Sequence, residues 1–471
     1  MTKFDAIIIG SGQAGNPLAH KLAEAGWKVA LVEKRWLGGT CINDGCTPTK
    51  TMIASARVAR QVTRSAEFGI HTTGFSVNME EVFQRKSSVV LSFRESLMQG
   101  MIRTPNIELF FGVAAFTGPK EVTVTKADGS RDTLTADKIF INAGTRPHIP
   151  SIPGLGEGDY LTSTSVMELR EVPRHLLIIG GSYIALEFAQ LFHRLGAEVT
   201  LVDTAEHFLP KEDADIADEL KKILEEEGIT MHINSKVTQF AASRPAPGTI
   251  RLDISKGQGT IVLEGSHLLI ATGREADTGS LHVAAAGIQL NNRGFIAVND
   301  KLETNIAGIY ALGDIKGGPQ FTHISYNDYL VVAGNLLNNS NTGIADRLLN
   351  YVLFTDPELG RVGLTEKEAR DKGIAIKVAT LPLTSVARGI ETGETRGLLK
   401  AIVQTDNKKI IGAAVLASGG GELMSILQMA MMGGITYDRI RDAIFAHPTF
   451  AESLNNLFAK LDENDAKSAK G

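Results

Sequence analysis

The chain has 471 residues, of which 43% are hydrophobic and 21% charged, with a formal net charge of −5. A chain of that size buries a large core over roughly two to four domains, and its mild acidity argues against a nucleic-acid-binding surface. No apolar run approaches a bilayer-spanning length and no basic, apolar and small-residue leader opens the chain, so no membrane association and a cytoplasmic location are expected.

Residues 4–10 form a short apolar run that ends in Gly10-Ser11-Gly12-Gln13-Ala14-Gly15. A helical pattern over 17–26 and a second strand over 28–32 complete a βαβ unit, with the acidic Glu33 eighteen positions after Gly15. Residues 51–100 read as mostly helical, and 107–141 as a β meander around the turn Ala127-Asp128-Gly129. The βαβ pattern recurs later: a strand over 175–180, the turn Gly180-Gly181-Ser182-Tyr183-Ile184-Ala185, a helix over 186–195, and a strand over 198–202 that ends at Asp203. Short strands are expected over 229–271. A further strand over 308–312 delivers Gly313-Asp314, and from about residue 346 the texture changes to strands and helices with a late His447-Pro448-Thr449 turn.

Both turns point to dinucleotides. Gly10 permits a tight bend, Gly12 lets backbone approach a pyrophosphate, and Gly15 lets helix pack on strand; the helix N-terminus offers free N–H groups and a positive dipole end. Glu33 is placed to accept from a ribose. The second turn is looser, with Ser182 and Ala185 at the second and third glycine positions. Asp203 sits where a carboxylate binds a free 2′-hydroxyl and repels a 2′-phosphate, which favours NADH over NADPH.

The chain contains two cysteines, Cys41 and Cys46, in Gly38-Gly39-Thr40-Cys41-Ile42-Asn43-Asp44-Gly45-Cys46-Thr47-Pro48-Thr49-Lys50. In a regular helix, Cα atoms five residues apart are roughly 8–9 Å from one another. A disulfide needs about 4.4–6.8 Å, so the loop must leave helical geometry for the sulfurs to bond. Packed core thiols and half of a metal site are the competing readings. Zinc wants four ligands, and no neighbouring Cys/His cluster supplies them, so no metal site is expected. A reducing compartment favours redox use of the pair.

Taken together, these residues resemble the class I pyridine nucleotide–disulfide oxidoreductases, which include dihydrolipoamide dehydrogenase, glutathione reductase and mercuric reductase. The resemblance runs from Gly10 to the His447 segment and is most specific at Gly-Gly-Thr-Cys-x4-Cys-x-Pro-Thr-Lys. It implies an α/β chain with two Rossmann-like, three-layer ββα domains for FAD and NAD(P)H and a C-terminal α+β dimerisation domain. The expected division is 1–148 with 274–345 for FAD, 149–273 for NAD(P)H, 346–465 for dimerisation and a polar tail over 466–471.

By position, FAD would bind at Gly10, Gly12, Gly15 and Glu33, with Asp314 on the ribityl chain. NAD(P)H would bind at Gly180, Ser182, Ala185 and Asp203. Gly39, Thr40, Gly144, Gly273 and Gly313 join the residues implied to line the two cofactors. Tyr183 looks like the side chain that covers the flavin until nicotinamide arrives, and Lys50 and Glu187 like the ion pair beside it. Cys46 resembles the thiol that contacts flavin, and Cys41 the interchange thiol that meets a small-molecule acceptor. His447 and Glu452 resemble an acid/base pair donated by the second chain of a homodimer. A neutral imidazole there can take the Cys41 proton, with the carboxylate orienting it.

The chain also departs from its relatives. It lacks the second cysteine pair and the N-terminal metal-binding domain of mercuric reductases, which argues against efficient mercury reduction. Residues 320–329, Gln-Phe-Thr-His-Ile-Ser-Tyr-Asn-Asp-Tyr, lack the Ala-His-x-Ala-x-x-Glu-Gly pattern of dihydrolipoamide dehydrogenase. They look closer to mercuric-reductase-like flavoenzymes induced by reactive chlorine. Asn142-Ala143-Gly144 replaces Ala-Thr-Gly, a change expected to be mild. The acceptor is then a disulfide, an oxidant or a soft metal ion; dihydrolipoamide dehydrogenase, and a flavin-based redox sensor without turnover, are the alternatives.

Overall fold

The computed structural model describes residues 1–242 and 249–468. Strand β1 (Thr2–Ile9) leads through Gly10 into helix α1 (Gly15–Glu24), and β2 (Val29–Glu33) returns parallel to β1 with Ile9 opposite Val32. Ala6 to Ile9 and Val29 to Val32 are all buried, as befits parallel strands covered on both faces. Helices α2 (Gly39–Asn43), α3 (Cys46–Thr63) and α4 (Met79–Arg103) follow. Strand β3 (Ile107–Phe111) extends the parallel sheet beside β2. Then β4 (Val113–Gly118), β5 (Glu121–Thr125) and β6 (Arg131–Ile141) run antiparallel, the end of β6 lying parallel to β1.

The meander expected over 107–141 is thus corrected at its first strand, which belongs to the parallel edge. The chain changes partner at Gly112, where a Cβ would come within 2.6 Å of the Thr125 carbonyl oxygen. Apolar alternation has the same period in both kinds of pairing and cannot separate them.

After β7 (Thr145–Pro147), a second parallel sheet forms from β8 (His175–Ile179), helix α5 (Tyr183–Arg194), β9 (Glu198–Val202), helix α6 (Ala214–Glu226) and β10 (Thr230–His232). An antiparallel flap of β11 (Lys236–Ala242), β12 (Ile250–Lys256) and β13 (Gly259–Gly265) precedes β14 (His267–Ile270), which completes the order β10-β9-β8-β14. Part of the expected run of strands, residues 243–248, lies outside the described residues. Strand β15 (Arg274–Ala276) pairs with β7, and β16 (Ile309–Ala311) closes the first sheet against β6.

Helix α7 (Thr322–Asn338) leads to β17 (Asn350–Leu353), β18 (Glu358–Gly363), helix α8 (Glu366–Asp371), β19 (Ile376–Pro382), helix α9 (Ala387–Glu391), β20 (Leu398–Gln404) and β21 (Ile410–Ala417). These five strands form an antiparallel sheet, order β17-β18-β21-β20-β19, carrying α10 (Gly420–Met432), α11 (Tyr437–Arg441) and α12 (Ser453–Ser468). Of the expected polar tail 466–471, α12 includes residues as far as Ser468 and the last three lie outside the described residues. Among the described residues no helix is long and apolar enough to cross a membrane.

The second sheet and the C-terminal sheet are not independent bodies. One apolar core contains Met52 and Ile53 of α3, Leu176 and Ile178 of β8, Phe188 and Phe192 of α5, and Leu353, Leu359 and Leu416 of the C-terminal sheet. A charged cluster crosses the same boundary. The fully buried Arg361 of β18 donates from Nε and Nη2 to Glu212 Oε2 at 3.0 and 2.7 Å, and its Nη1 and Nη2 lie 3.3 Å from Asp213 Oδ2. Asp213 also accepts the Glu366 N–H at 3.0 Å.

Arg361→Ala would leave the buried Glu212 carboxylate without its cation and Asp213 with only the Lys400 ammonium, at 3.6 Å. The expected loss is about 3–5 kcal/mol, read as a fall in the urea midpoint of unfolding.

Candidate active site

Four residues separate the two cysteines, and the backbone solves that spacing by stopping one helix and starting another. Helix α2 begins after Gly38, whose φ of +96° is left-handed, and carries Cys41; α3 starts at Cys46. Between them, Gly45 sits at φ −138°, ψ −116°, against the carbonyl of Thr40, which a Cβ would approach to 2.8 Å. Asn43 ties the segment down from inside. Its Nδ2 donates to the carbonyls of Leu37 at 2.9 Å and Gly39 at 2.8 Å. The two cysteines are unbonded and within hydrogen-bonding reach of each other.

Their environments differ. The hydrogen bond from Cys41 holds the Cys46 thiol down, to about 6, against the opposing effect of burial; the nearby Lys50 ammonium and the Thr322 hydroxyl act in the same direction. Thr322 Oγ1 is 3.2 Å from Cys46 Sγ. The Cys41 thiol is pushed up, first by its bond to Cys46, then by burial and by the Cys46 charge. The pair therefore divides into a thiolate at Cys46 and a protonated thiol at Cys41.

One turn into α3, Lys50 Nζ lies 2.7 Å from Glu187 Oε2, across 137 residues of sequence. Glu187 is nearly buried and its other oxygen accepts the Phe354 N–H at 3.1 Å. The Lys50 ammonium also lies over the Phe354 ring, 4.6 Å from its centroid. Tyr183 stands one turn before Glu187 on α5, so both project from one helix face. Its ring stacks on Tyr351 at 5.2 Å and approaches Phe321 at 6.3 Å.

The first glycine turn is closed by a residue expected to matter little. Asn142, at the end of β6, accepts the Gly15 N–H at its Oδ1 (3.0 Å) and donates from Nδ2 to the Leu312 carbonyl (2.9 Å). A Cβ on Gly12 would meet Asn142 Oδ1 at 2.8 Å, and one on Gly313 would meet Asn142 Nδ2 at 2.7 Å. The Asn142 replacement, expected to be mild, thus joins the α1 N-terminus, β6 and the loop after β16. Gly39 packs its Cα side on Gly12, while Thr40 is exposed beside it. Glu33 is buried, accepting from the Ser11 N–H and hydroxyl at 3.0 and 2.7 Å and from the Arg35 N–H at 2.9 Å. Half-buried Asp314 accepts from Thr145 Oγ1 at 3.4 Å; burial pushes its carboxyl up, while Arg274 works against that shift. The Gly144 carbonyl receives the Asp277 N–H at 3.2 Å.

In the second turn, Gly180 has φ +115° and the bare Cα of Gly181 faces the Asp203 carboxylate, leaving no room there for a side chain. Ser182 is exposed at the cap of α5 and Ala185 is fully buried. Gly273, at φ +117°, accepts the His148 N–H at 3.0 Å where the chain leaves this sheet. His447 and Glu452 are paired, Nδ1 lying 2.9 Å from Oε2, and the imidazole remains 66% exposed. Sequence reasoning missed Gly181, Thr322, Glu212 and Tyr351. Gly181 lay in plain view inside the turn; the other three come from distant segments and carry no local signal.

On this geometry, reduced protein should be alkylated by iodoacetamide at Cys46 with a rate that falls as pH drops through about 6. The midpoint should move upwards in Lys50→Met, which lacks the ammonium charge.

A family model described as pyridine nucleotide-disulphide oxidoreductase matches residues 4–328, and its dimerisation-domain counterpart matches 349–458. The chain is 39% identical over 464 residues to the probable pyridine nucleotide-disulfide oxidoreductase RclA of Escherichia coli strain K12, covering 98% of this chain and 99% of that one. Identity to a Staphylococcus aureus mercuric reductase is 33%, covering 98% and 83%, and to a Chlamydia muridarum dihydrolipoyl dehydrogenase 33%, covering 95% of each. The solved Cu(II) complex of the HOCl-induced flavoprotein disulfide reductase RclA from Escherichia coli is similar at a TM-score of 0.89 and 38% identity, covering 98% of this chain and 100% of that one. With both family models matched in order over nearly its whole length, the chain belongs to the pyridine nucleotide–disulfide oxidoreductase family.

Proposed function

We propose that this chain is a FAD-dependent reductase of the RclA and mercuric reductase type, taking two electrons from NADH and delivering them through Cys41 and Cys46. The observation that carries the reading is the thiol pair brought together at the α2–α3 break, with Thr322 on Cys46 and the Lys50–Glu187 ion pair beside it. The proposed division is residues 1–148 with 274–345 for FAD, 149–273 for the nicotinamide nucleotide, and 346–465 for pairing with a second copy.

The residues around the first turn fit FAD. Its glycines are packed so closely that a Cβ on Gly10, Gly12, Gly15 or Gly39 would strike backbone or Asn142. Glu33 presents a buried acceptor for a ribose. Asp314 is the matching acceptor for the ribityl hydroxyls. Bound there, FAD supplies the two-electron relay between nucleotide and thiols.

The chain's own residues perform the rest. In reducing a disulfide acceptor, His447 from the second chain takes the Cys41 proton, and the Cys41 thiolate attacks one acceptor sulfur. The acceptor S–S bond breaks, a mixed disulfide forms and one thiolate leaves, taking that proton from His447. The Cys46 thiolate then attacks Cys41 Sγ, closing the Cys41–Cys46 disulfide and releasing the second thiolate. Two electrons from NADH restore the dithiol. Glu452 holds the imidazole in the tautomer whose free nitrogen can accept a proton. An electrophilic oxidant or a soft ion such as Cu(II) would meet the same Cys41 sulfur.

A panel of small disulfides, Cu(II), Hg(II), hypochlorite-derived oxidants and dihydrolipoamide, read as NADH oxidation or NAD⁺ reduction, identifies the acceptor. Physiological activity should vanish in Cys41→Ser and fall by roughly 10²–10⁴-fold in His447→Ala. Mixing those two inactive variants should restore activity, because exchanged dimers contain one intact site; mixtures that stay inactive would place His447 outside the neighbouring site. Dihydrolipoamide as the best substrate would favour the dehydrogenase instead.

Asp203 should make NADH the better donor. Asp203→Asn is expected to close the NADH/NADPH gap in kcat/KM by roughly tenfold, as measured by steady-state kinetics with either nucleotide.

A further inference from the structure

The Glu212 carboxylate is shared. Its Oε2 is engaged by Arg361 through two N–H groups, at 3.0 and 2.7 Å. Its Oε1 accepts two phenols at once, one from Tyr351 and one from Tyr183. The Tyr183 bond is long at 3.4 Å, beyond the usual range for an O–H···O contact. Tyr351 and Arg361 are direct cross-strand partners in the β17–β18 ladder, so one register places both beside Glu212. Tyr183 and Glu212 come from the nucleotide-binding sheet, and Tyr351 from the C-terminal one. The three rings of Tyr183, Tyr351 and Phe321 form a stack, with Tyr351 between 5.2 and 5.4 Å from the other two.

We propose that Tyr351 is a positioning residue for nicotinamide entry, acting by competing with Tyr183 for Glu212 and so keeping Tyr183 loosely tethered. The proposal rests on the reading of Tyr183 as the side chain that must move aside for nicotinamide. A carboxylate oxygen held from behind by Arg361 cannot swing to suit both phenols. Tyr351, on a strand of the ladder, keeps its place; Tyr183 retains a stretched bond to Glu212, a contact with the Tyr351 hydroxyl and its ring contacts. Burial and the Glu212 charge push both phenols above their ordinary values, so both remain donors. The Arg361 guanidinium is opposed by burial, yet the Glu212 charge holds it charged. The competition therefore persists across the working pH range. Neither Glu212 nor Tyr351 has a place in the thiol chemistry.

Removing the Tyr351 hydroxyl alone should let Tyr183 take Oε1 fully and hold the entry shut more firmly. Tyr351→Phe keeps the ring stack and loses one oxygen, so the fold should survive. Titrating the FAD-loaded enzyme with NAD⁺, we expect the Kd to rise roughly three- to tenfold, the worth of one improved hydrogen bond. KM for NADH should rise with it while kcat stays within about twofold. In a Tyr183→Phe background, which has no hydroxyl to tether, Tyr351→Phe should leave NAD⁺ affinity unchanged. A Kd that stays constant or falls in Tyr351→Phe overturns the proposal, as does an equal rise in the Tyr183→Phe background, which would mean Tyr351 touches the nucleotide itself. Tyr183→Ala separates the underlying reading. If removing the ring leaves NAD⁺ affinity and NADH KM unaltered, Tyr183 guards nothing; if it alters them while Tyr351→Phe does not, only the competition fails.

Discussion

Two sulfurs five residues apart in a continuous helix point to different faces, so the chemistry of this protein depends on breaking a helix in one place. Gly45 makes the break. Its backbone geometry and its closeness to the Thr40 carbonyl let α2 end and α3 begin with the two thiols turned towards each other. Restarting the helix at Cys46 has a second consequence. Lys50 falls one turn later on the same face, near enough for its charge to favour the Cys46 thiolate. One short interruption thus assembles the pair and polarises it.

The polarisation needs residues from elsewhere in the chain. Lys50 is held by Glu187 of α5 and stacked on Phe354, whose own N–H is bound by the same carboxylate. Thr322 reaches Cys46 from the start of α7. The thiol segment, helix α5 and the residue that follows the first strand of the C-terminal sheet therefore meet around one lysine. Because the apolar core runs continuously beneath them, none can shift far without disturbing the others.

Buried charge sits along the same boundary. Arg361, Glu212 and Asp213 satisfy one another where the second parallel sheet meets the C-terminal sheet, and Lys400 joins them through Asp215 and Glu366 at 2.9 and 2.8 Å. Such clusters add little net stability over apolar packing, but they allow few alternative arrangements, because every displaced carboxylate would be left unpaired in the interior. Here that restriction falls on Tyr183 and Tyr351, the side chains flanking the second turn.

Local pattern in the sequence determined both βαβ units and the thiol motif, because each depends on residues a few turns apart or on a spacing that reflects backbone geometry. The Lys50–Glu187 and His447–Glu452 expectations came from the family resemblance instead, and the former joins residues 137 positions apart. The first strand of the expected meander escaped that logic, since alternation alone does not report which neighbour a strand will choose. Tertiary structure alone decided the contacts made across long separations: Asn142 with Gly15 over 127 residues, Thr322 with Cys46 over 276, and Tyr351 with Glu212 over 139. No periodicity encodes such meetings. They arise because sheets pack in one relative orientation, and burial then makes each polar group find a partner wherever the fold has brought one.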